Sequence, residues 1–315
     1  MTFKDFLQLI RYKNLIIVFV TQFLVWKFLL LGLPIEEHHF FLNGTHFGLL
    51  SLTTVLIAAA GYVINDYFDI GNDVINRPNK ALVNKSVNMR YAIKLHNILN
   101  VIAIFIAGYL CKLVGNYALL SIQVICTVLL WFYSTHFKRQ FVIGNFIVAL
   151  LTASSILIIP IYERLSWPYF IEGFFISGMD ENMIVNPMMI LFVYACFAFM
   201  LTWMREVVKD MEDYKGDAMD GCVTMPIKIG LKKSGEFVQI LGVITIIPLI
   251  MGMIKLIDRH LIFSIYIGIG LLLPIVWLMV KINKNTTVSH YAYLSKVLKF
   301  IMVLGILILL FYKYI

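Results

Sequence analysis

Nine long apolar stretches separated by polar segments set the pattern of this chain. They cover residues 15–33, 47–65, 93–113, 117–133, 142–162, 188–207, 237–257, 261–280 and 297–314. A helix needs about 20 apolar residues to cross the hydrocarbon core of a bilayer. Each stretch is of that order, and polar groups within them are few, as lipid offers no hydrogen-bond partner. The pattern predicts an all-α polytopic membrane protein of nine transmembrane helices, forming one domain over residues 1–315. No small-residue cleavage site follows the first stretch, which therefore reads as a retained span rather than a signal peptide.

Composition supports lipid as the solvent. The chain is 61% hydrophobic and only 14% charged, whereas a soluble domain averages about 25% charged residues. The net charge of +8 does not point to nucleic acid, because no basic stripe occurs outside the polar segments. Lys and Arg facing anionic lipid are the commoner cause in a membrane protein. The cysteines Cys111, Cys126, Cys196 and Cys222 are scattered without a CxxC pair, so neither a disulfide framework nor a zinc site is expected.

The basic residues sort by side. With the N-terminus inside, the inner segments hold 20 of the 26 Lys and Arg residues, an asymmetry that fixes orientation. The expected topology is N-terminus cytoplasmic and C-terminus outside. With no eukaryotic sorting signal, a bacterial or archaeal inner membrane is the expected location. The long outer segment 163–187, with Trp167, Pro168 and Tyr169, reads as lying along the membrane surface.

Two inner segments break the pattern with acids. One reads NDYFDIGND (65–73), the other KDMEDYKGD (209–217). Asp66, Asp69 and Asp73 are repeated 144 residues later as Asp210, Asp213 and Asp217. Identical spacing at two inner helix ends suggests an internal duplication, or a matched pair of sites. Residues three, four or seven apart share a helix face, so each trio projects together. Clustered carboxylates repel one another unless a cation or protons intervene. Oxygen ligands on adjacent turns suit Mg²⁺, which takes one or two carboxylates and completes its shell with water and phosphate oxygens. Two such clusters suit metals on either side of a diphosphate. A single acidic cluster reads better as a solvated loop balanced by Lys and Arg; two in one frame argue against that.

Basic partners lie nearby. Arg77 follows Asp73 by four residues, Lys138 and Arg139 follow Tyr133, and Arg205 and Lys209 flank the second cluster. Arg holds phosphate with a two-pronged fork and Lys as a point charge. Ordinary positive-inside anchoring is the plain alternative for each.

Together, Asn-Asp-x-x-Asp-x-x-x-Asp, the following Arg77-Pro78, the second Asp-rich motif and WFYSTHFKRQFVIGN (131–145) resemble the UbiA superfamily of intramembrane prenyltransferases. The likeness runs from residue 7 to about residue 230. It implies nine helices around a central cavity, capped by the inner loops. It also implies Mg²⁺ ligands at Asn65, Asp69, Asp73, Asp213 and Asp217, with Asp66 and Asp210 completing the catalytic acids. Tyr133 and Lys138 match the loop beside the diphosphate. The implied partners are a prenyl diphosphate, a lipophilic acceptor and membrane lipids. REVVKDMEDYKGD (205–217) is most similar to the branch that prenylates geranylgeranylglyceryl phosphate. Geranylgeranyl transfer to that or a related glycerol-phosphate lipid is therefore expected, with an aromatic quinone precursor as the alternative acceptor.

By similarity to relatives, Arg11 and Asn14 are candidates for the acceptor head group, although Arg11 reads equally as a membrane anchor. His96 and His136 read as hydrogen-bonded interface residues rather than bases. The chain departs from the family pattern at Ala218, Met219 and Asp220, where basic residues are usual, and at Lys80, Ala81 and Leu82. A transporter of divalent cations or lipids would place acids near mid-span, whereas these lie at span ends. A CDP-alcohol phosphotransferase would need DGxxAR, and here Asp66 is followed by Tyr67.

Overall fold

The computed structural model describes residues 2–32, 40–70, 83, 87–163, 187–258 and 260–310. Asp73, Arg77 and the segment expected to lie along the membrane between 163 and 187 fall outside the described residues, apart from that segment's two ends.

Polar side chains set the helix starts. α1 (Phe3–Leu9) opens with a capping box between Thr2 and Asp5. α2 (Tyr12–Leu24) continues as a π-helical turn, Val25–Leu30. α3 (Gly44–Phe68) begins where the Asn43 side chain accepts the N–H groups of Thr45 and His46. α4 (Met89–Val114) runs from an Asn88 cap to Gly115, whose φ of +75° suits glycine at a helix C-terminus. α5 (Leu120–Thr135) and α6 (Ile143–Tyr162) follow. α7 (Pro187–Met219) is the longest helix described, and the short α8 (Met225–Ile229) comes after it. α9 (Leu231–Leu256) precedes α10 (Leu261–Tyr266), which passes through a π-helical segment, Ile267–Leu272, into α11 (Leu273–Lys281). α12 (Val288–Leu307) closes the series. Among the described residues the one β pairing is an isolated bridge, Val83 with Val87.

Nine helical runs among the described residues are long and apolar enough to span a bilayer, and they coincide with the nine apolar stretches. Two ends differ most from the sequence expectation. The sixth run continues to Met219, so the second acidic motif lies within α7 rather than beyond it. At 33 residues α7 is ~50 Å long, well over the ~30 Å hydrocarbon core. The ninth run starts at Val288, not at 297, and takes Lys296 into the helix. Hydropathy reports where lipid is, not where a helix ends, and Thr287 caps α12 through the N–H of His290.

The chain forms two compact helical units: Met1–Lys138 with Ser155–Met188, and Arg139–Ser154 with Met189–Ile315. In the first, α3 packs along α4 and α5. A Cβ at Gly61 would meet the Leu130 methyls at 3.0 Å, so α3 and α5 approach closely there. Gln22 ties α2 to α3 and to the last part of α6. Its amide N–H groups reach Thr54 Oγ1 (3.1 Å) and the Ser155 carbonyl (2.7 Å), and its oxygen accepts from Ser51 Oγ (2.8 Å). In lipid such a fully bonded polar side chain acts as interhelical glue. In the second unit, Leu201, Val208, Val238, Ile275, Leu294 and Ile301 belong to one buried cluster. There a Cβ at Gly242 would sit 2.7 Å from Met279 Sδ, so α9 and α11 are in close contact.

Candidate active site

The first unit presents its acids at the end of α3. Asn65 is buried in the last turn. Its Nδ2 donates to Asp69 Oδ2 at 2.6 Å, while the Asp69 N–H donates to the Asn65 carbonyl at 3.0 Å. Asp69 is the C-cap, with φ −88° and ψ 3°, so the chain turns where the acid is displayed. Lys138, from the 3₁₀ turn Phe137–Arg139 after α5, donates to the same Asp69 Oδ2. Both of these bonds end on Oδ2, and Oδ1 takes part in neither.

Asp66, one turn earlier, is held from the other side. Arg11 Nη2 donates to Asp66 Oδ1 at 2.7 Å, and the guanidinium lies 4.9 Å from the centre of the Tyr62 ring. Arg11 sits at the junction of α1 and α2 with φ 51° and ψ 51°, the left-handed region that a non-glycine residue enters only under constraint. Burial alone would lower the Arg11 pKa; the charges of Asp66, Tyr62 and Asp69 and the hydrogen bond to Asp66 outweigh it and raise it. The structure therefore places Arg11, expected at the acceptor, on the first acidic motif. Asn14 follows it in the first turn of α2, its N–H bonded to the Arg11 carbonyl at 2.8 Å. Tyr133 is half-buried on α5, five residues before Lys138.

The second unit carries its acids along α7. Asp210, Asp213 and Asp217 share one face, as their helical spacing requires. Asp217 is buried, and Asp210 and Asp213 are half-buried. Asn145, in the first turn of α6, donates from Nδ2 to Asp210 Oδ2 at 2.8 Å. Glu206, four residues before Asp210 and buried, extends the acidic face by a turn and accepts from Arg205 Nη1 at 2.7 Å. Arg205, expected at a phosphate, is thus paired with its neighbour. Lys209 is half-buried on the same helix. Arg139 lies 3.0 Å from Asp220 Oδ2, just beyond the motif. The adjacent residues Lys138 and Arg139 thus serve acids in different units.

Sequence reasoning missed Asn145 and Glu206. Glu206 was legible as a helical neighbour of Asp210. Asn145 closes the stretch 131–145 that carries the family likeness, but on its own it was one amide early in an apolar span. The two histidines are bonded locally: His96 to the Ala60 carbonyl (2.9 Å) and His136 to Thr135 Oγ1 (2.7 Å).

The donors fit Mg²⁺. Asn65, Asp66, Asp69, Asp210, Asp213 and Asp217 offer only hard oxygen atoms as ligands. Among the described residues no three His, Cys, Asp or Glu side chains gather closely enough to cage an ion by themselves. Mg²⁺ does not require that, because water and phosphate complete its shell.

Comparison with known proteins bears on the whole chain. The sequence profile of the UbiA prenyltransferase family matches residues 25–297. A digeranylgeranylglyceryl phosphate synthase of Methanosarcina mazei is 28% identical over 291 residues, covering 89% of this chain and 90% of that protein. The enzyme of the same name from Methanococcus aeolicus is 32% identical over 237 residues, covering 75% and 72%. A structure solved in a study of digeranylgeranylglyceryl phosphate synthase in membranes superposes with a TM-score of 0.63 at 25% identity, covering 97% of this chain and 96% of the other. A UbiA homologue from Archaeoglobus fulgidus, bound to GPP and Mg²⁺, shares the fold at a TM-score of 0.59 and 15% identity, covering 97% and 99%. The protein is an integral membrane prenyltransferase, and its chain belongs to the UbiA prenyltransferase family.

Proposed function

We propose that this enzyme transfers a prenyl group, geranylgeranyl by preference, from its diphosphate to geranylgeranylglyceryl phosphate or a related glycerol-phosphate lipid. The observation that carries the reading is the pair of Asp-rich helix ends, one of which already meets Lys138 and Arg11. The names of the curated relatives support the acceptor, and the GPP and Mg²⁺ of the Archaeoglobus homologue support the donor and the metal.

Asn65, Asp69 and Asp73 at one end, and Asp213 and Asp217 at the other, would hold Mg²⁺. Bound there, Mg²⁺ would supply positive charge against the charge that grows on the departing pyrophosphate. The protein's own groups do the rest. Lys138, on a flexible stem, is a point charge able to pass from Asp69 to a phosphate oxygen. Once seated on the phosphate before the bond breaks, that charge stabilises the leaving group without further reorganisation. Apolar helices around the isoprenoid tail keep water from the allylic carbon and so limit hydrolysis. The acceptor hydroxyl oxygen bonds to that carbon as the C–O bond to the diphosphate breaks, and the hydroxyl proton passes to the released pyrophosphate or to water. Both helix ends belong to a single domain spanning residues 1–315, with the N-terminus cytoplasmic and the C-terminus outside, in a prokaryotic inner membrane. The bias of Lys and Arg supports that orientation, and a C-terminal reporter that proved cytoplasmic would reverse it.

Incubating membranes that hold the protein with labelled geranylgeranyl diphosphate tests the acceptor. Geranylgeranylglyceryl phosphate and an aromatic quinone precursor would be offered separately. Label is expected in the glycerol-phosphate lipid. Label confined to the aromatic product would move the enzyme to quinone biosynthesis.

A further inference from the structure

The turn leading into α6 is under strain. Val142 has φ +66°, a region that a β-branched residue avoids. Across it the Ile143 N–H donates to the Phe141 carbonyl at 2.8 Å, the rare and strained form of γ-turn. Strain of this kind persists only where the surroundings over-determine it. Here three contacts do so. The Val223 N–H donates to the Arg139 carbonyl at 2.8 Å, Arg139 pairs with Asp220 at 3.0 Å, and Lys228 Nζ lies 4.5 Å from the centre of the Phe141 ring. All three partners come from residues 220–228, directly after the second Asp-rich motif. Three residues beyond the strained turn, the buried Asn145 amide meets Asp210.

The chemistry of that contact differs from its counterpart in the repeat. Asp66 is bonded to a guanidinium, whereas Asp210, the equivalent acid 144 residues on, is bonded to a neutral amide. A carboxylate accepts and an amide N–H donates, which fixes which way the Asn145 amide faces. The amide therefore orients Asp210.

We propose that Asn145 is a positioning residue for the metal-binding face of α7: its amide fixes the direction in which the Asp210 carboxyl group faces. The strained turn, pinned by the segment after the motif, fixes where Asn145 stands. This rests on the reading of α7 as a Mg²⁺-diphosphate element. Partners that orient metal-site groups from outside the ligand shell typically change metal affinity or activity by 10–100-fold when mutated.

The experiment uses full-length protein in lipid nanodiscs. Mn²⁺ serves as a paramagnetic probe of the metal site, read without substrate. The Mg²⁺ concentration for half-maximal transfer and the melting temperature are measured alongside. Asn145→Ala is expected to weaken Mn²⁺ binding about tenfold and to raise the Mg²⁺ requirement to match. Asn145→Lys, which sets a cation beside Asp210, is expected to weaken it further. In an Asp210→Asn background, Asn145→Ala is expected to add nothing. Unchanged Mn²⁺ affinity in both Asn145 variants, with only the melting temperature lowered, would overturn the proposal and leave the metal reading intact. A wild-type protein that binds no Mn²⁺ and transfers without a divalent cation would remove the metal reading and this proposal together.

Discussion

The two Asp-rich helix ends share one spacing and differ in what holds them. At the end of α3, each described acid already faces a cation: Asp66 meets Arg11, and Asp69 meets Lys138. On α7, Asp210 meets the neutral amide of Asn145, while the nearby Arg205 is engaged by Glu206. The first end is bonded to cations of its own protein, and at Asp210 the second is oriented by a neutral amide. Two motifs of one spacing thus differ in their bonded partners through residues outside the motifs. The first end suits exchange, in which Lys138 leaves a carboxylate for a phosphate. The second keeps an acid aimed by a partner that carries no charge.

Substitutions can break or sharpen this contrast. The largest effect is expected for Asp69→Ala and Asp213→Ala, which remove a member of each end. Transfer should fall by at least 10²–10³-fold, the order seen on removing one preorganised transition-state contact. Circular dichroism and gel filtration in detergent should show the variants folded. Next comes Lys138→Ala. A charge-assisted hydrogen bond is worth about 1.5–3 kcal/mol, so turnover should drop roughly ten- to hundredfold, with kcat affected more than the KM for acceptor. Lys138→Arg should recover part of it.

Arg11 separates charge from backbone. Its side chain is 34% exposed, so solvent screens the pair with Asp66 and its loss should destabilise by about 1 kcal/mol at most. Its left-handed backbone adds a second term. Arg11→Gly should melt higher than Arg11→Ala by about 1 kcal/mol of stability, because glycine adopts φ 51° without penalty. Equal melting temperatures would mean the conformation is not held in the folded protein. The smallest effect is expected at Arg139, half-exposed beside Asp220. Arg139→Ala should cost well under 1 kcal/mol and change turnover by no more than about twofold. A loss matching that of Lys138→Ala would instead place Arg139 on the diphosphate.

Much of the fold was legible because a bilayer imposes a simple length and polarity rule. All nine spans could be counted from apolar stretches alone. Their ends could not, since the turns beyond the hydrocarbon are polar. α7 carries its acids to Met219, and α12 starts at Thr287's cap with His290 and Tyr291 in its first turn. The acids themselves were legible from their repeated frame. What selects between them was not. The bond from Arg11 to Asp66 crosses 55 residues, and that from Asn145 to Asp210 crosses 65. Neither separation leaves a trace in local periodicity, so Arg11 read as an acceptor ligand or a membrane anchor and Asn145 was not singled out.

Counting pyrophosphate tests the central claim most directly. Purified protein in nanodiscs would be given geranylgeranyl diphosphate, a lipid acceptor and a titrated divalent cation. One pyrophosphate is expected per prenylated lipid, with none formed when Mg²⁺ is chelated. Turnover that survives chelation, or Mg²⁺ crossing the membrane with no pyrophosphate released, would contradict the assignment of the two acidic helix ends to prenyl transfer.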